Sequence, residues 1–220
     1  MKRIIIICEG PTEMEFCKDV LSPFFNSKDI FLQTPLIKKS GGGIVPWSNL
    51  KRQIETHLSQ DTNAIVSTFI DYYGILPRFL FPEWQNAHKL ADKYRRMDLL
   101  EKGMSDDISG VIKNRFIPYI QLHEFEGLLF NNLQSFDNQI GSKDFLNRRE
   151  LEATILQFPN PELINDSPNN APSYRLRRLI KGYNKIVFGS ILAEDIGLKR
   201  MRKKSVRFNA WLKVLENQWP

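Results

Sequence analysis

Acidic residues follow three apolar segments of this chain at the points where those segments end. The segments read IIIIC (4–8), AIVSTFI (64–70) and FIPYIQL (116–122), and the acids after them are Glu9, Asp71, Glu124 and Glu126. Continuous runs rich in β-branched residues are typical of strands buried on both faces. If these strands are parallel neighbours, their carboxyl ends meet at one edge of the sheet, where open α/β folds bind ligands.

Carboxylates gathered at such an edge repel one another, and a divalent cation removes the conflict. Hard oxygen ligands favour Mg²⁺ or Mn²⁺, and such an ion can activate water and stabilise charge on a phosphodiester. The alternative is that the acids cap helices or lie in solvated loops. Glu124 and Glu126 face the same side if the strand continues, and they diverge if a helix begins at Glu124.

The segment after Glu9 predicts a turn and then a helix. Gly10 and Pro11 turn the chain, and Thr12 is expected as the N-cap, with Glu15 completing a capping box. The helix is expected to run from Glu13 to about Phe25. The first strand and this helix would together hold Glu9 at the edge of the sheet.

Apolar spacing further along the chain predicts alternating strands and helices. A second strand is expected over 30–37 and an amphipathic helix from Trp47 to about Asp61, and further helices over 84–102, 149–158, 173–181, 184–196 and 205–219. This alternation predicts an α/β protein with a mainly parallel central sheet flanked by helices. We expect an α/β core over 1–130 and a basic helical C-terminal extension over 131–220, packed on that core.

The positive charge of the chain is concentrated near its C-terminus. The net charge is +6, and residues 173–220 hold twelve lysines and arginines against three acids, which leaves −3 for residues 1–172. Such a segment suggests a polyanion partner, and nucleic acid is the expected one. A solvated helical surface is the other interpretation. Lys38 and Lys39, beside a glycine run, are further candidates for contact with a nucleic-acid backbone.

Several classes of protein are disfavoured by composition. No run approaches 18 apolar residues and the N-terminus lacks a signal-peptide pattern, so we expect a cytoplasmic protein with no membrane partner. Cys8 and Cys17 are expected as reduced thiols, and three histidines without metal-site spacing make zinc improbable. Tyr72 and Tyr73 are candidates either for stacking on a base or for core packing.

Segments spread over nearly the whole chain resemble DUF4276, a bacterial family of unknown function with similarity to the Toprim fold. The clearest are IIIICEGPTEMEF, TFIDYYGILP and FIPYIQLHEFEGLLF, with a looser match in APSYRLRRLIKGYNK and IGLKRMRKKSVRFNAWL. In Toprim domains a glutamate after the first strand and a DxD motif after a later strand hold magnesium. The resemblance implies these roles for Glu9 and Asp71. Tyr73 replaces the second acid of the motif, so Glu124 or Glu126 would have to supply the missing ligand.

The resemblance also implies a function. It suggests a Mg²⁺- or Mn²⁺-dependent nuclease acting on DNA or RNA, similar to the nuclease partners of bacterial anti-phage systems that work with an ATPase. The candidates for phosphate contacts in the C-terminal segment are then Arg175, Arg178 and Lys185. A catalytically degenerate Toprim-like subunit that binds or regulates an ATPase is the alternative, which the replacement at Tyr73 favours.

Overall fold

A computed structural model describes residues 2–38, 43–165 and 168–219 of the chain. The chain divides into two compact units, one comprising residues 1–122 and 211–220 and the other residues 123–210. The predicted boundary near residue 130 stays a prediction about domains, and each unit is described below by itself.

The first unit is built on a parallel sheet, as predicted. Its strands are β1 (Lys2–Cys8), β2 (Ile30–Gln33), β3 (Ala64–Asp71), β4 (Phe116–Ile117) and β5 (Ile120–Gln121). The order is β2-β1-β3-β4, and β5 pairs with the end of β3. Every pairing is parallel, with Cys8 opposite Phe69 and Asp71 opposite Gln121. The ends of β1 and β3 therefore lie at the same edge of the sheet.

The third apolar segment forms two short strands, where a single strand over 116–122 was expected. Pro118 has no N–H to donate to a ladder, so it interrupts the pairing. Thr68 replaces the missing ladder contacts: its hydroxyl donates to the carbonyl of Tyr119 and accepts from the Tyr119 N–H, both at 3.0 Å. The second strand, expected over 30–37, likewise ends early, at Gln33. Beyond it, a single bridge pairs Leu36 with Cys8 of β1.

Helices cover the sheet of the first unit. They are α1 (Pro11–Phe16), α2 (Ser22–Asn26), α3 (Trp47–Gln60), α4 (Trp84–His88) and α5 (Lys93–Asp106), with five π-helical residues between α1 and α2, Cys17–Leu21. The predicted α3 is confirmed. The single helix expected over 84–102 is wrong, because the carboxylate of Asp92 caps a new helix by accepting from the N–H groups of Tyr94 and Arg95.

The two faces of the sheet have different cores. Ile5, Ile7, Val66 and Ile70 pack with apolar residues of α3 and α5 on one face. On the other face, the Phe69 ring lies 5.9 Å from that of Phe16 and 5.4 Å from that of Trp211. Cys8 and Cys17 are buried free thiols, as predicted, and burial raises the pKa of Cys8.

Trp211 attaches the last residues of the chain to this second face. Its indole stacks on the Tyr119 ring at 4.4 Å with an angle of 8°, and its Nε1–H donates to Oγ of Ser67 at 2.9 Å. The Ser67 hydroxyl in turn donates to the carbonyl of Ile117. A polar residue inside a fully buried strand is thereby hydrogen-bonded on both sides.

The second unit is helical. Its helices are α6 (Leu133–Gln139), α7 (Arg148–Gln157), α8 (Pro172–Leu179), α9 (Lys185–Ile196), α10 (Leu198–Lys204) and α11 (Val206–Glu216), and the division into units falls within α11 after residue 210. The predicted basic helical C-terminal region is confirmed, and α6 and α10 are two helices that the sequence pattern did not predict. Among the described residues, no helix is long and apolar enough to cross a membrane.

Candidate functional site

The parallel register brings Glu9 and Asp71 together at the carboxyl edge of the sheet. The Asp71 N–H donates to Oε2 of Glu9 at 2.8 Å, and the Glu9 N–H donates to the carbonyl of Phe69 at 3.1 Å. Asp71 is buried and Glu9 is half-buried. The Glu9 carboxylate therefore lies against the main chain of Asp71, at the end of the neighbouring strand. We call Glu9 and Asp71 the acidic pair.

Gly74 leaves the space that the Glu9 carboxylate occupies. A Cβ at position 74 would lie 3.0 Å from Oε1 of Glu9 and 2.8 Å from Cγ1 of Ile44. Neither distance is tolerated without movement of a neighbour. Gly74 follows Asp71 in the same loop, so one short segment both binds Oε2 of Glu9 and makes room for Oε1.

The turn after Glu9 is held by Glu13, a residue that the sequence analysis did not select. The expected cap of Thr12 with Glu15 is wrong: α1 begins at Pro11 with Gly10 as its N-cap, and Oε2 of Glu13 accepts from the Gly10 N–H at 3.0 Å. Pro11 is well suited to the first helical position, since it needs no hydrogen-bond acceptor there. The spacing of Gly10 and Glu13 was the available signal for this cap.

Tyr72 and Tyr73 have different surroundings. Tyr72 is buried, and its ring lies 5.8 Å from that of Trp84. Tyr73 is exposed. The core-packing interpretation therefore holds for Tyr72. Tyr73 stands where the resemblance to Toprim domains implies the second acid of the DxD motif.

Glu124 belongs to the second unit and binds the start of α8. Its carboxylate accepts from the N–H of Ser173 at 2.8 Å and from the Ser173 hydroxyl at 3.0 Å. A carboxylate at a helix N-terminus is stabilised by the helix dipole and by the N–H groups there. Within the second unit, Glu124 therefore acts as a helix cap, which is one of the two interpretations that the sequence left open.

Glu126 has a different partner, because a 3₁₀-helix over Phe125–Leu129 begins after Glu124 and separates the two acids. Glu126 is fully buried, and its Oε1 lies 3.1 Å from Nζ of Lys185. Burial and then the charges of Glu126 and Glu124 raise the pKa of the Tyr183 hydroxyl well above its usual value. The convergence of one or both of these glutamates with the acidic pair stays a prediction.

His123 precedes these acids in a left-handed backbone conformation, with φ of 69°. Such a conformation is uncommon for a residue other than glycine. Its Nδ1 lies 3.1 Å from Nδ2 of Asn165, which donates to it. The ring is buried, so a hydrogen-bonded structural role describes it within the second unit.

The predicted nucleic-acid contacts differ in exposure. Lys38 is exposed, while its N–H donates to Oε1 of Gln53, and Lys39 lies outside the described residues. Arg175 is buried, with its Nε–H donating to the carbonyl of Asn170. Arg178 is half-exposed and pairs with Glu150. Arg175 therefore has a structural role as a buried hydrogen-bond donor to Asn170, and its contact with phosphate stays a prediction.

Glu162 is a further buried acid that the sequence analysis missed. Its carboxylate accepts from the N–H groups of Arg207 and Phe208 at 2.9 Å each, at the start of α11. Burial raises the pKa of Glu162. The short motif PNPEL carries no signal for a partner 45 residues away.

The described part of the chain holds no group of three or more histidine, cysteine or acidic side chains placed to hold a metal ion. The acidic pair provides two carboxylates. Magnesium is often held by only one or two carboxylates, with water and substrate phosphates as its other ligands. The two carboxylates are hard oxygen donors of the kind that such an ion prefers.

Comparisons with known proteins place the chain in a family. Two structures of the C-terminal region of the OLD protein of Xanthomonas campestris pv. campestris, one phased with iodine and one with mercury, are similar to it at TM-scores of 0.45 and 0.43. They are 13% and 17% identical, and the matches cover 99% and 98% of this chain and 95% and 97% of the other. A search of curated proteins found no match. The family described as "Domain of unknown function (DUF4276)" matches residues 8–216, and the chain belongs to that family.

Proposed function

We propose that this chain is a metal-dependent nuclease acting on DNA or RNA phosphodiesters, with the acidic pair at its centre. The observation that carries the proposal is the 2.8 Å hydrogen bond from the Asp71 N–H to Oε2 of Glu9. It places the Glu9 carboxylate against the main chain of Asp71, at the sheet edge where α/β proteins bind ligands. The resemblance to Toprim domains implies a metal-binding role for the same two residues.

The acidic pair would hold Mg²⁺ or Mn²⁺ in this proposal, because both provide hard carboxylate oxygens. Such an ion supplies positive charge against a phosphodiester and lowers the pKa of bound water.

The protein groups around the pair position Glu9. The Asp71 N–H holds Oε2, so Oε1 is the oxygen on the Gly74 side and the atom at which Glu9 would accept or return a proton. Glu13 fixes the turn that follows. The Asp71 N–H therefore orients the Glu9 carboxylate before a substrate binds.

Positive charge in the C-terminal helices would hold the nucleic-acid backbone. Residues 173–220 carry +9. Exposed lysines and arginines bind phosphate with an affinity that falls steeply with salt. Lys38, the half-exposed Arg178 and the partly exposed Lys185 are predicted contacts that are accessible for this role.

The resemblance to the nuclease partners of bacterial anti-phage systems supports a cytoplasmic effector that works with an ATPase. The partner would then control access of nucleic acid to the acidic pair. This part of the proposal depends on the resemblance alone, and the chemistry can be tested without it.

The direct test is cleavage of labelled single- and double-stranded DNA and RNA by the purified chain in Mg²⁺ or Mn²⁺. We expect cleavage that EDTA stops and that Glu9→Gln and Asp71→Asn each reduce by about 100-fold or more. Glu15→Gln is the matched control, because Glu15 pairs with Lys18 on the surface of α1. Equal activity of Glu9→Gln and Glu15→Gln would refute the proposal.

A degenerate, non-catalytic subunit is the second candidate. Tyr73 favours it, because Toprim domains carry the second acid of the DxD motif at this position. The two candidates differ in metal affinity. A nuclease should bind Mg²⁺ in calorimetry, and Asp71→Asn should weaken that binding. A degenerate subunit should show no Mg²⁺ binding in either protein while both remain folded by circular dichroism.

A further inference from the structure

An open cavity of about 620 Å³ lies in the first unit between the loop Pro77–Glu83 and helix α4. Its apolar side is formed by Leu80, Phe81 and Trp84, and its polar side by Glu83, Gln85, Asn86 and Lys89. The volume is in the range of small-molecule sites. An apolar surface bordered by amides, a cation and one hydrogen-bonded carboxylate suits a flat ring that carries polar edges, with its negative charge on the lysine side.

Aromatic rings lead from the acidic pair to this cavity. Tyr72 follows Asp71 directly, and its ring lies 5.8 Å from that of Trp84 at an angle of 32°. The Trp84 ring stacks on His88 at 5.5 Å and 23°. Exposure increases along the series, from buried Tyr72 through half-buried Trp84 to exposed His88. Tyr72, Trp84 and His88 are called the aromatic series below.

The surroundings of the aromatic series are held in place. The Arg96 guanidinium lies 5.7 Å from the centre of the Tyr72 ring and donates to the Tyr72 hydroxyl at 3.2 Å. Gly103 of α5 allows close approach of the loop, since a Cβ there would lie 3.0 Å from Cγ of Glu83 and 3.1 Å from Cβ of Pro82. The cavity is therefore formed before any ligand arrives.

Two residues of the loop have left-handed backbone conformations, Leu80 with φ of 53° and Glu83 with φ of 60°. For a bulky residue such as leucine this is a strained arrangement, and strain of this kind concentrates at ligand-binding segments. It presents Leu80 to solvent with 78% of its surface exposed. The amide of Asn86 donates to the Glu83 carboxylate at 2.8 Å, so this acid is already hydrogen-bonded.

We propose that this cavity binds a nucleobase, stacked against the aromatic series, with Lys89 near the phosphate of the same nucleotide. Bases stack on aromatic side chains without regard to sequence, and amide side chains hydrogen-bond to base edges. The proposal deepens the proposed nuclease function, on which it rests, by assigning a base subsite beside the loop that carries Asp71. The base belongs to a strand or to a free nucleotide, and the test distinguishes them.

The experiment follows 2-aminopurine fluorescence, which stacking quenches, in EDTA so that no cleavage is required. The probes are 2-aminopurine 5′-monophosphate, a single-stranded oligonucleotide with one 2-aminopurine, and the same strand with an abasic site in place of that base. We expect quenching with both 2-aminopurine probes and weaker binding of the abasic strand. Much tighter binding of the strand than of the monophosphate assigns the site to nucleic acid, and equal binding assigns it to a free nucleotide.

His88→Ala and Trp84→Leu should weaken binding by about 10-fold or more and reduce quenching, since one stacked base is worth that much. His88 is exposed, so its replacement leaves the core intact. Phe31→Ala is the control, because Phe31 is an exposed aromatic residue on β2. Unchanged binding and quenching in both cavity variants would overturn the proposal. It would also be overturned if none of the three probes bound, including the case in which the cavity bound an apolar peptide instead.

The nuclease proposal can fail independently. The protein could show quenching that depends on His88 and yet cleave no nucleic acid in Mg²⁺ or Mn²⁺. That result would support the base subsite and refute the nuclease proposal. The opposite outcome is cleavage that Glu9→Gln abolishes, with neither cleavage nor strand binding changed by His88→Ala or Trp84→Leu. That outcome would support the nuclease proposal and overturn the base subsite.

Discussion

The N–H of Asp71 donates to the carboxylate of Glu9 at 2.8 Å, which joins two acids 62 residues apart in the chain. The contact exists because β1 and β3 are parallel neighbours, with Cys8 opposite Phe69. A main-chain donor fixes one oxygen of Glu9 at the end of the adjacent strand. The Asp71 carboxylate takes no part in this bond, so mutation of both acids can test whether they serve one centre.

Glu9 and Asp71 should act as a unit. If they serve one centre, removing the second after the first costs little more, and the effects on the cleavage rate are far from additive. We expect the Glu9→Gln/Asp71→Asn double variant to cleave within about 10-fold of the slower single variant. Cleavage rates of the four proteins give the coupling, and additive losses would show that the acids act separately.

Gly74→Ala should disturb Glu9 more than it disturbs the fold. The added Cβ would meet both Oε1 of Glu9 and Cγ1 of Ile44, so we expect about a 10-fold or greater loss of cleavage with a destabilisation of about 1–3 kcal/mol. Adding Ile44→Ala removes only the contact with Ile44. Loss of activity that persists in the double variant assigns the effect to Glu9, and full recovery would assign it to Ile44.

Lys185→Met separates two roles for Lys185. The side chain is an ion-pair partner of fully buried Glu126, so the variant should lower the free energy of unfolding by about 1–3 kcal/mol. Lys18→Met is the matched control, because its pair with Glu15 is exposed and should be worth less than about 1 kcal/mol. Urea unfolding measures both. A loss of nucleic-acid affinity without a loss of stability would instead support the phosphate role.

Glu162 should make the stability of the chain depend on pH. Burial raises its pKa in the folded protein, so its contribution is fully present below the pKa of the unfolded chain and is lost as pH rises through the higher folded value. Glu162→Gln does not titrate. Relative to wild type, the free energy of unfolding of this variant should therefore rise between pH 4 and pH 7. A constant difference between the two proteins would contradict this prediction.

Trp211 and Ser67 should be energetically coupled. Trp211→Phe removes the N–H donor to Ser67, and Ser67→Ala leaves the buried indole N–H without that acceptor, which costs about 1–3 kcal/mol. The double variant should be more stable than the sum of the single losses predicts. Urea unfolding of the four proteins measures this coupling, and simple additivity would show that the hydrogen bond contributes little.

Much of the architecture is predictable from local pattern. The apolar runs before Glu9 and Asp71 identify β1 and β3, and the spacing from Trp47 to Leu58 identifies α3. The same runs predict a parallel sheet and identify Glu9 and Asp71 as candidate site residues at the ends of its strands. These features are encoded in short windows, because burial of a strand or of one helix face imposes a periodicity on adjacent residues.

The partners of each acid were decided by tertiary structure. Glu13, and not Glu15, holds the first turn, Gly74 makes room for Glu9, and Glu162 finds the start of α11 from 45 residues away. The split of the third strand follows from Pro118 together with the hydroxyl of Thr68, which bonds to Tyr119, 51 residues away. A sequence window records which side chains can accept a hydrogen bond. Only the folded chain determines which distant N–H group reaches them, because that depends on strand order and register.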